Sequence, residues 1–143
     1  MSKKNITIQN SVHYHQVDQM GVMHHAQYVY ALEQSRIEWL QRQGVSYGDL
    51  EKKGILLPVV DISLQYKKPL HFEDLYFVHA SLDELNGYYV DFSYVIENQQ
   101  KDCVAIATTR LVFVDEQARR AMKCPDFLLT VSYTHLRAHE TSL

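Results

Sequence analysis

One segment of this chain repeats with a helical period, and nearly everything after it alternates with a period of two. From Ala26 to Arg42, the apolar residues Tyr28, Val29, Leu32, Ile37, Trp39 and Leu40 recur at helical spacing, and Gly44 supplies a stop. Ser46, with Asp49 three residues on, reads as the capped start of a short second helix ending near Gly54. After Pro58 the period changes. Val60, Ile62, Leu64 and Tyr66 alternate with Asp61, Ser63 and Gln65 until Pro69 ends the run. Tyr76, Val78, Ala80 and Leu82 form the next alternation, and Val90, Phe92, Tyr94 and Ile96 the one after it. Asn86-Gly87 between them predicts a hairpin, because both residues tolerate positive φ. Asn98 to Asp102 is a second turn, and Val104 to Val114 is apolar at positions of both faces, as expected of a central strand. Upstream, Ile6, Ile8, Val12 and Tyr14 alternate with Thr7, Gln9, Ser11 and His13 as a first, half-buried strand.

The order is therefore strand, long helix, short helix, then four strands expected as an antiparallel meander. One long helix against such a sheet makes an α+β domain. A single helix cannot cover a curved five-stranded sheet from end to end, so some sheet edge or helix face is expected to meet a second subunit.

The chain has 143 residues, 46% hydrophobic and 22% charged, which suits one compact core. A net charge of −3 without blocks of like charge gives no electrostatic footing for nucleic acid or an anionic membrane. Neither a signal peptide nor a membrane span is visible, and the expected location is the cytoplasm. Cys103 and Cys124 show no metal-ligand spacing and fit reduced thiols.

The last segment follows neither period. Val131-Ser-Tyr-Thr-His-Leu-Arg-Ala-His-Glu-Thr141 resembles, residue for residue, the in-frame translation of a transposase-type sequencing adapter. Residues 1–129 are thus expected to form the domain, with 130–143 as non-native read-through to be excluded from fold reasoning. This matters because His135 and His139 sit four apart, the spacing of two metal ligands on one helix face. The adapter origin removes that pair, and no metal site is expected.

Chemistry concentrates between the first strand and the long helix, in Asp18-Gln-Met-Gly21-Val-Met-His24-His25-Ala-Gln-Tyr28. Asp18 is the only acid in the first thirty residues. It stands just ahead of a helix start, where free N–H groups point outward and favour negative charge. A carboxylate so placed could attack a carbonyl, orient water onto it, or simply cap the helix. His24 and His25 are not expected to face one site together from a helix start.

That motif, with Glu33 and Arg36 on the helix and Pro69 followed by Glu73-Asp74, resembles the hot-dog-fold acyl-CoA thioesterases, in particular the hydroxybenzoyl-CoA thioesterase and YbgC-like branch. The resemblance runs from about Ile6 to Leu128. It implies a hot-dog fold, an antiparallel five-stranded sheet wrapped around one long helix. It also implies hydrolysis of acyl-CoA thioesters to a free acid and coenzyme A. Asp18 corresponds to the catalytic acid, nucleophile or general base, and His25 to the residue beside it at the helix start. Backbone N–H groups would form the oxyanion hole, at a site lying on the interface of a homodimer or homotetramer. In one departure, Val17 stands where many members carry Thr or Ser just before the catalytic Asp. No cofactor is implied, since coenzyme A enters only as part of the substrate.

Two other functions fit the same fold: a non-hydrolytic acyl-thioester binder, and an enoyl-thioester hydratase. The retained Asp18 argues against the first, and the acid–glycine–histidine order against the second. Beyond Asp18 and His25 the sequence reading is plainer. Gly21 suits a turn, Glu33 and Arg36 a surface pair, and Tyr28 and Trp39 the core. Lys67-Lys68 suits either a solvated strand end or a contact with coenzyme A phosphates.

Overall fold

The computed structural model describes residues 5–130. Strand β1 (Asn5–Ser11) leads through a single 3-10 turn, Tyr14–Gln16, and a loop into helix α1 (His25–Arg42). Gly44, at φ +87°, ends α1 in the left-handed conformation that glycine adopts without a Cβ clash. Ser46 then caps α2 (Tyr47–Lys52), its hydroxyl accepting the Asp49 amide at 3.4 Å. The strands that follow are β2 (Ile55–Leu56), β3 (Val59–Tyr66), β4 (Leu75–Leu85), β5 (Tyr89–Asn98), β6 (Cys103–Val112), β7 (Val114–Asp115) and β8 (Arg120–Ala121), and residues 126–130 are helical.

Five strands form one antiparallel sheet in the order β1-β4-β5-β6-β3. This is the expected hot-dog architecture, with α1 held against the inner face of the sheet. The connection differs from the expected four-strand meander. Only β4, β5 and β6 run as a meander, while β3 lies at the far edge beside β6. After Tyr66 the chain leaves the sheet and crosses to the opposite edge, so that β4 returns beside β1. The crossing segment carries Leu70, which is fully buried and whose carbonyl accepts the Met23 amide at 2.7 Å. The crossover is thereby tied to the loop before α1.

Two further expectations are corrected. The Asn86 turn does join β4 to β5, but neither Asn86 nor Gly87 has positive φ. The Asn86 side chain instead accepts the amides of Tyr88 and Tyr89 at 2.8 and 3.0 Å, an Asx turn closing a three-residue loop. Strand β6 is central, yet not apolar on both faces. Ala105, Ala107, Thr109 and Leu111 are buried while Ile106, Thr108 and Arg110 are exposed, because among the described residues no element covers the outer face. A small sheet, β2-β7-β8, was not foreseen, since two-residue strands are too short to show a period.

The core lies between α1 and the inner sheet face. Leu32 and Trp39 share one buried cluster with Val78, Phe92, Tyr94 and Ile96, and the Trp39 and Phe92 rings contact edge-on at 5.7 Å. Arg36 is not the surface partner of Glu33 that their spacing suggested. It is only 5% exposed, with Glu33 Oε2 3.8 Å away. Burial pushes the hydroxyls of Tyr47 and Tyr94 to higher pKa, and the adjacent Arg36 guanidinium partly offsets this. Among the described residues no helix is long and apolar enough to cross a membrane. Because Trp39 packs across the helix–sheet contact, Trp39→Ala is expected to cost about 3–5 kcal/mol of stability, measured by urea denaturation.

Candidate active site

The loop from Val17 to His24 is a tight double-back rather than an open connection. Val17 and Met23 pair as an isolated antiparallel bridge, and Val22 pairs with His71 in the crossover segment. At the tip, the Asp18 amide donates to the Val22 carbonyl at 2.9 Å, and the Gly21 amide to the Asp18 carbonyl at 3.0 Å. Gly21 adopts φ +81°, which makes the reversal possible. The sequence reading of Gly21 as a turn residue is met.

Asp18 is exposed at this tip. Its Oδ1 accepts the Met20 amide at 2.8 Å and the Val22 amide at 3.4 Å, while Oδ2 is open among the described residues. The carboxylate thus organises its own loop and does not cap α1. The capping role falls to His24, whose Nδ1 accepts the Ala26 amide at 3.1 Å. The His24 amide in turn donates to the Gln16 carbonyl at 2.8 Å, fastening the helix start to the 3-10 turn. Among the described residues the amide of His25, the first of α1, has no acceptor. It is an orphan N–H at the positive end of a helix of five turns.

The His24 and His25 rings stack with centroids 4.1 Å apart. Only His25 lines the adjoining cleft, together with Met23, Tyr28, Tyr66, Lys67, Lys68 and Pro69. Tyr28 is buried as expected, yet it also forms a wall here, edge-on to Tyr66 at 5.0 Å. Burial raises the Tyr28 hydroxyl pKa to about 12, so it stays protonated at neutral pH. The Tyr66 hydroxyl donates to the His25 carbonyl at 3.1 Å, which joins the end of β3 to the first turn of α1. Asp18 is not among the residues lining the cleft. One chain therefore sets His25 in a cleft and holds Asp18 nearby in sequence on an exposed loop tip.

The sequence reading missed Tyr66 and left Lys67 and Lys68 undecided. A signal was available: an alternating strand that ends in Tyr-Lys-Lys-Pro must deliver those side chains to the point where the chain leaves the sheet. Among the described residues no group of three His, Cys, Asp or Glu side chains could hold a metal ion, and His135 and His139 lie outside them.

A thioesterase-like superfamily model matches residues 12–131. The chain belongs to that superfamily. In this thioesterase-like chain the match takes in the loop, α1 and the whole sheet except β1. A Bacillus subtilis protein, "Putative acyl-CoA thioesterase YneP", is 38% identical over 118 residues, covering 82% of this chain and 83% of its own length. The Escherichia coli "Acyl-CoA thioester hydrolase YbgC" is 26% identical over 104 residues, covering 73% of this chain and 78% of its own. Among solved structures, a DHNA-CoA thioesterase from Staphylococcus aureus superposes with a TM-score of 0.88 at 24% identity, over 97% of this chain and 96% of that one. That last likeness supports the fold.

The two histidines separate by measurement. His24→Ala removes an N-cap and is expected to lower stability by about 1 kcal/mol in urea denaturation. His25→Ala leaves the cap intact and is expected to stay within about 0.5 kcal/mol of the unaltered protein.

Proposed function

We propose that this protein is an acyl-CoA thioesterase, hydrolysing R–CO–S–CoA to a carboxylic acid and coenzyme A. The superfamily match over residues 12–131, with relatives named as acyl-CoA thioesterases, carries this reading. The local geometry suits the chemistry. Addition to a thioester carbonyl places negative charge on its oxygen. The unpaired His25 amide at the start of α1 is a donor for that charge, aided by the helix dipole. The cleft beside it is walled by Tyr28 and Tyr66, giving an apolar approach for the thioester.

Asp18 is the proposed acid, and His25 the group that orients it or donates to the thioester oxygen. Two routes balance. In one, the Asp18 carboxylate attacks the carbonyl carbon, coenzyme A thiolate leaves and takes a proton, and water then cleaves the mixed anhydride. In the other, Asp18 takes a proton from water as the resulting hydroxide adds, and the thiol departs protonated. Single turnover in heavy-oxygen water decides between them. Label found in Asp18 selects an anhydride opened at the Asp18 carbonyl, and label absent from Asp18 argues against that route.

Completion of the site by a second copy of the chain belongs to the same proposal. Strand β3 has one unpaired edge, and its inner-face residues Val60, Ile62 and Tyr66 are 56%, 43% and 49% exposed. Helix α1 stands over the β1–β4 side; it meets Tyr66 at the end of β3 but leaves Val60 and Ile62 largely bare, and Val29 and Tyr30 of its own surface are exposed as well. A long open edge flanked by apolar side chains calls for a partner strand, and the symmetric solution is β3 of another copy. This supports a homodimer in which the loop tip of one chain reaches the cleft region.

The direct test is thiol release from a panel of acyl-CoA esters, followed with a thiol-reactive dye. Asp18→Asn is expected to lower kcat about 100-fold or more, the range for removing a proton-transfer group or nucleophile. His25→Ala is expected to lower it more than His24→Ala does. Retained turnover in folded Asp18→Asn protein would overturn the assignment of Asp18. Absence of thiol release from every ester would overturn the hydrolase reading itself. By light scattering, Ile62→Lys is expected to yield monomers where the unaltered chain yields dimers.

A further inference from the structure

Strand β3 ends at the rim of the His25 cleft in two consecutive lysines whose surroundings differ. The amides of Lys67 and Lys68 donate to one carbonyl, that of Val104 on β6, at 2.7 and 3.1 Å. This shared acceptor turns the chain out of the sheet and brings both side chains to the cleft, with Pro69 following. Lys68 is already committed. Its Nζ lies 3.0 Å from Asp102 Oδ2, and that bond holds the Asp102 carboxyl below the usual carboxylate range. Lys67 is exposed and has no acidic partner among the described residues.

The other lining residues, Met23, His25, Tyr28, Tyr66 and Pro69, contribute no carboxylate. The cleft thus has an aromatic interior and a lip carrying one unneutralised ammonium, in a chain whose net charge is −3. A ligand that fits has an uncharged or apolar stem reaching inward and anionic groups left outside. A coenzyme A thioester has that form: acyl group and pantetheine arm, then a nucleotide with several phosphate charges.

We propose that Lys67 binds a phosphate of the nucleotide half of coenzyme A, so that the protein favours coenzyme A esters over shorter thioesters with the same reacting bond. This rests on the thioesterase reading above. Lys68 contributes by fixing the strand end through Asp102, which sets where the Lys67 stem begins. A point charge at an exposed lip acts on binding, and its effect is screened by salt.

The test compares benzoyl-CoA with benzoyl-N-acetylcysteamine, and the lauroyl pair likewise, on the full chain and on Lys67→Met. Calorimetric titration with free coenzyme A and with pantetheine runs alongside. For the coenzyme A ester, Lys67→Met is expected to raise KM about 5- to 10-fold, the size of one charge-assisted contact, with kcat within about twofold. The N-acetylcysteamine ester is expected to be unaffected. Free coenzyme A is expected to weaken by the same factor while pantetheine does not, and the difference fades in high salt. An unchanged KM for the coenzyme A ester, or equal losses on both esters, overturns the role of Lys67. If the unaltered protein cleaves neither ester, the hydrolase reading falls, and the coenzyme A titration alone decides the lysine.

Discussion

The contact between α1 and the inner face of the sheet is what the remainder of the molecule depends on. Leu32 and Trp39 are buried together with Val78, Phe92, Tyr94 and Ile96, and among the described residues no second helix of comparable length shares the task. Burial at this seam is the main favourable term available to the chain. It also fixes the one direction in which α1 can point. Its N-terminus therefore arrives where the crossover from β3 to β4 passes, and the Met23–Leu70 bond locks the two together. The candidate site is a by-product of that packing: a helix start, a reversed loop and a strand end brought to one place.

Within this frame polar groups carry the precision. His24 caps α1 and holds the 3-10 turn, Asp18 closes its own loop through two amides, and Tyr66 joins the edge strand to the first helical turn. Each bond alone contributes on the order of 1 kcal/mol. Together they determine which amide at the helix start is left without an acceptor. Arg36 is a different case. A guanidinium held in the core near two tyrosine hydroxyls carries a desolvation penalty that a carboxylate 3.8 Å away only partly offsets.

The fold was legible because periodicity reports on which face is buried. Alternation at Tyr76–Leu82 and Val90–Ile96 returns unchanged in the structure, and the helical period returns at Tyr28, Leu32, Trp39 and Leu40, whereas Val29 is exposed and Ser35 and Arg36 join the buried face. Connection order was not legible, since alternation says nothing about which neighbour a strand takes, and β3 went to the far edge. The Asn86 turn formed for another reason than dihedral tolerance. The outward face of β6 was misjudged because Ile106 reads as buried in any window of apolar residues. At the site, the loop, glycine turn and helix start were visible in the sequence. The cleft was not, because Tyr66 and Lys67 lie some forty residues from His25 and meet it only through the crossover.

The Tyr66–His25 bond has one more consequence. Successive residues of a strand point to opposite sides, so a slip of β3 by a single position against β6 would exchange its two faces. Tyr66 would then point away from the helix and its hydroxyl would lose the carbonyl it reaches. An edge strand has one neighbour to hold its alignment, and here the first turn of α1 acts as a second. Correct threading of the sheet margin is thereby proofread at the same residue that presents the free amide.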